Sequence, residues 1–119
     1  MSAEIPTSPD TTGSIEFLAE MSALAGRLRG HDREVFELHY FGLSFGSWTL
    51  IAGTRRSRVR IAWDGREGEL SAETAFFADS RTTPSWSLIS QQRVGATSFG
   101  ALLGTAEQII LVESGSPAA

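Results

Sequence analysis

The sequence predicts an α+β fold in which an antiparallel sheet is flanked by helices from the two ends of the chain. Apolar residues recur at helical spacing from Ile15 to Leu28, whereas five later segments alternate apolar and polar residues as strands do. Short connections between those segments favour antiparallel neighbours, and a helix packed on one sheet face buries the apolar sides of both. We therefore expect a meander sheet of about five strands, an N-terminal amphipathic helix packed on it, and a C-terminal helix.

The first helix is predicted to begin behind Ser14, a residue type that caps helices, and to end at Gly30. Arg27 and Arg29 in the last turn favour a helix end at this point, because cations interact well with the C-terminal end of the helix dipole. Phe17 lies beside the main apolar stripe and would widen it. That stripe comprises Ile15, Leu18, Met21, Leu24, Ala25 and Leu28.

The first two strands are predicted at residues 34–41 and 47–52. The second is apolar on both faces, which is typical of a central strand. Residues 42–46 form a short connection with a glycine at each end. Strict alternation in the first strand places Phe36, Leu38 and Tyr40 on one face and Val35, Glu37, His39 and Phe41 on the other.

The clearest local signal is a β-hairpin over residues 57–77. Asp64-Gly65 lies between two alternating runs, and this dipeptide tolerates the positive φ angles of a type I′ turn. A two-residue turn would pair Arg60 with Glu69, and a four-residue turn would pair Arg58 with Glu73. Both registers set arginine against glutamate. In both, Arg56, Arg58 and Arg60 share one face while Val59, Ile61 and Trp63 share the other.

A loop is predicted at residues 78–85 and a fifth strand at 86–93. The final stretch, 97–112, has helical spacing behind a Thr97 or Ser98 cap, although Gly100 and Gly104 weaken a helix. Residues 108–112 would serve equally well as a strand. We expect flexible tails at residues 1–13 and 114–119 around a single domain at 14–113, because both ends are rich in small and polar residues.

Composition bounds the function. The 119 residues suit one globular domain, and the chain has no cysteine, no lysine and a net charge of −4, which disfavours nucleic acid as a partner. Every cation is therefore an arginine or histidine, and the planar guanidinium suits bidentate contacts with carboxylates. The N-terminus lacks the pattern of a signal peptide, and no apolar run approaches the roughly 20 residues of a membrane span. We expect a cytoplasmic protein with no membrane partner.

The sequence carries no catalytic, metal or phosphate-binding motif. It lacks G-x-S-x-G, S-x-x-K, Walker and G-x-G-x-x-G patterns, and its two histidines, His31 and His39, do not have metal-ligand spacing. His39 beside Glu37 would serve as an acid–base pair only on a strand face that lines a cavity. We therefore expect no catalytic residue, no metal and no cofactor, and favour a protein that is not an enzyme.

The order of elements resembles cystatin-like and NTF2-like folds, in which a helix packs on a curved sheet. The resemblance covers topology alone, because no motif of this sequence carries it. Such folds include both binding proteins and enzymes with a cavity between helix and sheet, so the resemblance implies neither function by itself.

The candidate partner-binding residues lie on and beside the hairpin. A row of guanidinium groups on one strand face suits an acidic partner surface, although cross-strand ion pairs are the simpler explanation for it. Tryptophan and arginine are enriched at binding hot spots, whereas the three tryptophans would otherwise fill the core. The candidate set is Arg56, Arg58, Arg60, Trp63, Arg66, Glu69, Glu73 and Trp86.

We therefore expect a protein-binding module, most concretely a bacterial inhibitor or immunity-type protein that occludes a cognate partner such as a toxin. The alternative is a small-ligand or enzymatic pocket between helix and curved sheet, lined by Tyr40, Trp48, Trp63 and Trp86 with His39 or an arginine as the polar group. A homo-oligomer formed through the sheet is a third hypothesis.

Overall fold

The structure, a computed structural model, describes residues 9–77, 83–95 and 97–115, with side chains from residue 16 onward. The elements in chain order are α1 (Pro9–Arg29), β1 (Glu34–Phe41), β2 (Ser47–Gly53), β3 (Ser57–Asp64), β4 (Glu69–Phe76), β5 (Ser87–Arg93) and α2 (Phe99–Glu113). The strands form one antiparallel sheet in the order β1-β2-β3-β4-β5. The predicted α+β fold is confirmed. Of the tails expected at residues 1–13 and 114–119, residues 1–8 and 116–119 lie outside the described residues, whereas residues 9–13 belong to α1. Residues 78–82 of the loop predicted at 78–85 also lie outside them.

Helix α1 is longer than predicted and turns a different side chain inward. It begins at Pro9 rather than behind Ser14, and proline suits the first helical position because its missing N–H would have no helical partner there. Phe17 is buried, and Leu18, which was expected in the apolar stripe, is exposed. The Phe17 ring stacks 4.5 Å from the ring of Tyr40, measured between centroids, so the aromatic side chain fills the space above β1.

Helix α2 begins behind Ser98, whose side-chain oxygen accepts a hydrogen bond from the backbone N–H of Ala101. It continues to Glu113, so residues 108–112 are helical and the strand alternative is wrong. Neither described helix is long and apolar enough to cross a membrane. The residues that α2 buries against the sheet and α1 are Leu102, Leu103, Ala106 and Ile110.

Both helices lie on the same face of the sheet, and the core is the single layer between them and the strands. We call the other side of the sheet the open face, because no described helix covers it. Trp48 belongs to the core, and Trp63, which pairs with it across β2 and β3, packs against the core from its edge. The buried sheet residues are Trp48, Leu50, Ala52, Val59, Ile61, Leu70 and Ala72, with Ala75 under the opposite side.

A bulge in β1 changes the faces predicted for that strand. Val35 pairs with Ala52 and Glu37 with Ile51, which leaves Phe36 without a partner between them. Val35 therefore packs on the helix side, and Phe36 turns to the open face beside Arg58. The prediction that placed Phe36 with Leu38 and Tyr40 is wrong, because one extra residue in a strand reverses the alternation before it.

The hairpin of β3 and β4 has a register that neither predicted turn produces. Arg60 pairs with Glu73 and Asp64 with Glu69, which makes residues 65–68 a four-residue loop beyond Asp64. The Asp64 carboxylate accepts hydrogen bonds from two backbone N–H groups of this loop. The residue of the loop that has a positive φ angle is Gly68, at 67°. The predicted faces of β3 are nevertheless correct, because a slip by an even number of residues preserves the alternation.

Candidate functional site

The open face carries small side chains along its middle and larger groups near its two ends. Thr49, Ala62 and Ser71 form one cross-strand row over β2, β3 and β4. The small row leaves the sheet surface accessible between the β1–β2 connection at one end and the β2–β3 turn at the other. The larger side chains of the open face therefore form two separate clusters, one at each end of the sheet.

At one end, the connection between β1 and β2 exposes three large apolar side chains. We call residues 41–45 the apolar loop. Phe41, Leu43 and Phe45 have exposed fractions of 48%, 91% and 69%. A concentration of exposed apolar side chains of this kind marks an interaction site more often than a surface maintained for solubility.

Phe45 also holds an unfavourable backbone conformation. Its φ angle is 60°, in the left-handed region that costs a residue with a side chain about 1–2 kcal/mol. Glycine or asparagine would form the same turn with less strain. A bulky apolar residue that is both strained and exposed contributes little to folding, which favours a role for it in a contact outside the chain.

The apolar loop is held in place by the turn between β3 and β4. The backbone N–H of Gly65 donates to Ser47 Oγ at 2.9 Å, and Ser47 Oγ donates to the Ser44 carbonyl at 2.7 Å. A Cβ atom on Gly65 would lie 2.0 Å from the carbonyl oxygen of Phe45. Gly65 is therefore required for close approach of the two turns, and the loop it contacts is positioned rather than free.

A groove of about 560 Å³, open to solvent, runs between the apolar loop and the β3–β4 turn. Three of the predicted site residues line this groove: Trp63, Arg66 and Glu69. The Glu69 carboxylate accepts a hydrogen bond of 2.8 Å from the side-chain amide of Gln91 on β5. The groove thus joins an apolar wall and two side chains of opposite charge, while the Trp63 side chain packs against the core on the helix side.

At the other end lies the arginine–aromatic cluster, which we define as Phe36, Arg58, Arg60, Phe77 and Trp86. The Arg58 guanidinium carbon lies 3.8 Å from the ring centroid of Phe36 and 4.1 Å from that of Phe77. The guanidinium carbon of Arg60 lies 4.4 Å from the Trp86 ring, which in turn meets the Phe77 ring edge-on. The aromatic faces attract the cations and hold them against the sheet.

Within the part of the chain that the structure describes, the expected pairing of arginine with glutamate is found at one residue of the row, Arg60. Arg60 Nε lies 2.8 Å from Glu73 Oε1, and both side chains are about one third exposed. Arg58 pairs with Ala75 across the strands, and its Nε and Nη2 donate to the backbone carbonyl of Arg55. Within the described residues, Arg58 forms no ion pair with a carboxylate.

The predicted site residues therefore fall into two groups rather than one. The six-residue step along β3 from Arg58 to Asp64 spans about 20 Å, which approximates the separation of the two clusters. The β2–β3 end holds Arg56, Arg58, Arg60, Glu73 and Trp86. The β3–β4 end holds Trp63, Arg66 and Glu69.

The structure separates the residues expected to line a ligand pocket. Tyr40 and Trp63 line a recess of about 250 Å³ between the helices and the sheet, together with Phe17 and Phe99. Trp48 is buried in the core, and Trp86 lies on the open face, so the four predicted residues do not share a cavity. The recess is smaller than the roughly 300–1,000 Å³ of typical ligand pockets.

The open face does not provide an acid–base or metal site in the described part of the chain. His39 Nε2 lies 3.5 Å from Glu37 Oε1, but both side chains are more than half exposed and lack the enclosed site that such a pair needs. Among the described residues, no three histidine, aspartate or glutamate side chains are grouped to hold a metal ion.

Sequence reasoning missed the apolar loop and two aromatic residues of the cluster at the other end. The signal for the loop was present, because Leu43 and Phe45 lie in a five-residue connection bounded by glycines, where a turn offers no room to bury them. Phe36 and Phe77 carried no such signal. Their position depends on the bulge in β1 and on the exit of the chain from β4.

Comparisons with protein-family models, with curated proteins and with solved structures found no match to this chain.

Proposed function

We propose that this protein is a protein-binding module and that the open face of its sheet is the contact surface. The observation that carries the proposal is the apolar loop, which exposes Phe41, Leu43 and Phe45 beside an open groove. The cores of protein interfaces are enriched in aromatic residues and arginine, and a groove next to such anchors can receive side chains of the partner. The open face offers both features on a rigid sheet.

The most concrete form of this proposal is a bacterial inhibitor or immunity-type protein that acts in the cytoplasm and occludes a cognate partner such as a toxin. Occlusion needs a preformed surface and no chemistry of its own. Arg60, Arg66 and their neighbouring glutamates would steer association and select the partner through charge. The small recess on the helix side makes ligand binding the weaker alternative.

The first test is the substitution Leu43→Asp. The partner is captured from the source organism by the tagged wild-type protein, purified, and titrated against the wild type and each variant by calorimetry. We expect Leu43→Asp to weaken binding by about tenfold or more, because a hot-spot side chain loses its apolar contacts and a charge is buried. Val112→Asp on α2 is the matched control, since Val112 is 70% exposed but lies away from the open face.

A second variant separates binding from folding. Phe45→Gly removes an exposed aromatic side chain and relieves the positive φ angle, so we expect stability to rise by about 0.5–1 kcal/mol while affinity falls. Equal affinity of the wild type, Leu43→Asp and Phe45→Gly for the partner would contradict the proposal. Recovery of the chain itself as partner, with light scattering that shows oligomers at two concentrations, would replace it with the homo-oligomer hypothesis.

A further inference from the structure

We propose that the β2–β3 end of the open face binds a carboxylate-rich segment of the partner protein. This inference rests on the proposed function and names the chemistry of the partner. It concerns Arg55, Arg56 and Arg58, which we call the turn arginines and which lie at the end of the sheet away from the apolar loop.

The turn arginines concentrate positive charge on a protein whose net charge is −4. Arg27, Arg60 and Arg93 each have a glutamate within 4 Å. The turn arginines have no such partner within residues 16–77, 83–95 and 97–115, and Arg55 and Arg56 are exposed. This end of the sheet is therefore a local cationic site on an acidic molecule, which favours an anionic partner.

Arg58 is held in an orientation that suits a carboxylate. Its guanidinium plane is clamped between the rings of Phe36 and Phe77, and two of its nitrogens are fixed by the Arg55 carbonyl. Its Nη1 makes no hydrogen bond to the described part of the chain. A guanidinium that is already ordered loses less conformational entropy when it binds an anion than a free arginine does.

The surroundings favour discrete carboxylates over the continuous phosphates of a nucleic acid. Glu73 and Glu37 lie on the open face in the row that contains Arg60 and would repel a polyphosphate backbone that crossed the sheet. A polypeptide can place acidic residues at the turn arginines and an apolar residue at Leu43, about 20 Å away along β3. We therefore infer an acidic protein segment.

The test uses short fluorescein-labelled probes, two peptides and one oligonucleotide, and fluorescence anisotropy at low salt. The probes are poly-glutamate, poly-glutamine and oligo-dT, and the proteins are the wild type, Arg56→Glu and Arg29→Glu. Arg56 and Arg29 are both exposed, so the two variants change the net charge equally, and Arg29 belongs to α1 on the helix side of the sheet rather than to the open face. We expect poly-glutamate to bind the wild type and Arg29→Glu alike, to bind Arg56→Glu about fivefold more weakly, and to lose affinity as salt rises.

Three results would overturn the inference. These are no binding of poly-glutamate, equal binding by Arg56→Glu and Arg29→Glu, and tighter Arg56-dependent binding of oligo-dT, which would assign the site to nucleic acid. The purified partner separates this inference from the proposed function. If Arg56→Glu keeps full affinity while Leu43→Asp loses it, the acidic segment is rejected and the protein-binding surface stands; the opposite pattern rejects the apolar loop as the anchor.

Discussion

At the scale of single residues, Arg33 connects the two halves of the chain. It is only 6% exposed, and its guanidinium donates hydrogen bonds to the Ser114 hydroxyl and to the carbonyl groups of His31, Leu111 and Gly115. The Leu111 carbonyl lies in the last turn of α2, where helical partners are missing, and Gly115 lies two residues beyond the end of the helix. A cation at this end of the helix dipole is favourable, so Arg33 joins the start of the sheet to the end of the last helix.

We predict that Arg33→Met destabilises the protein by about 2–3 kcal/mol, because it removes hydrogen bonds from a buried charged group while it keeps the apolar stem. Urea unfolding followed by circular dichroism would show a lower midpoint with an unchanged slope. Arg29→Met, at an exposed position of α1, is expected to stay within about 0.5 kcal/mol of the wild type. Identical midpoints for the two variants would show that the Arg33 contacts do not stabilise the fold.

At the scale of elements, the glycines differ in what the backbone requires of them. Gly104 lies in the middle of α2, and a Cβ atom there would meet nothing within 4 Å. Gly53 closes β2 with a φ of 146°, and a Cβ atom there would lie 2.4 Å from the carbonyl oxygen of Ser57. The same substitution should therefore have opposite effects at the two positions.

We predict that Gly104→Ala raises the free energy of unfolding by about 0.5–1 kcal/mol, because alanine restricts the unfolded chain and favours the helix. Gly53→Ala is expected to lower it by more than that amount, since its turn would have to shift. Thermal unfolding of both variants beside the wild type measures the difference. A destabilised Gly104→Ala would mean that the interior of α2 is more crowded than its surroundings indicate.

At the scale of the whole molecule, the core is one-sided. Ile61 on β3 is completely buried beneath the helices, whereas Ile51 on the neighbouring strand β2 lies half-buried on the open face. The two isoleucines thus compare the faces of one sheet with the same side chain. If nothing covers the open face, truncation of a side chain should cost much more stability on the helix side of the sheet than on the open face.

We predict that Ile61→Ala costs about 3–4 kcal/mol and that Ile51→Ala costs about 1 kcal/mol, because only the first leaves a cavity in a packed interior. Urea unfolding at low and high protein concentration provides the measurement. Similar losses at the two positions, or a loss for Ile51→Ala that grows with concentration, would indicate that a second copy covers the open face.

Local patterns in the sequence predicted the elements well. The bounds predicted for β1 agree with the structure, and those predicted for β2 and β5 differ by one residue, because alternation and turn residues are local properties. The exceptions have tertiary causes. Leu18 and Phe17 exchange roles because Phe17 stacks on Tyr40, and Phe36 changes face because β1 bulges against β2.

The geometry of the candidate site depends on contacts between residues distant in the chain. Asp64-Gly65 correctly predicted a hairpin, yet the positive φ lies at Gly68 and Gly65 is needed for its contact with the apolar loop. Because the loop lies one position later than predicted, the register of the two strands differs from both predicted registers. Arg60 is paired with Glu73, and Arg58 lies between two aromatic rings. Pairing depends on both strands and on whatever packs against the turn.

The sequence by itself determined the α+β class, the order of the elements and the two faces of β3. Periodicity sets the elements and the faces, and a register slip by an even number of residues leaves the faces unchanged. Only the tertiary structure decided the register, the open face and the separation of the candidate residues into two clusters. The physical reason is that the alternation within a strand determines which of its side chains share a face of the sheet. Which neighbours they meet, and whether a helix covers them, depends on residues distant in the chain.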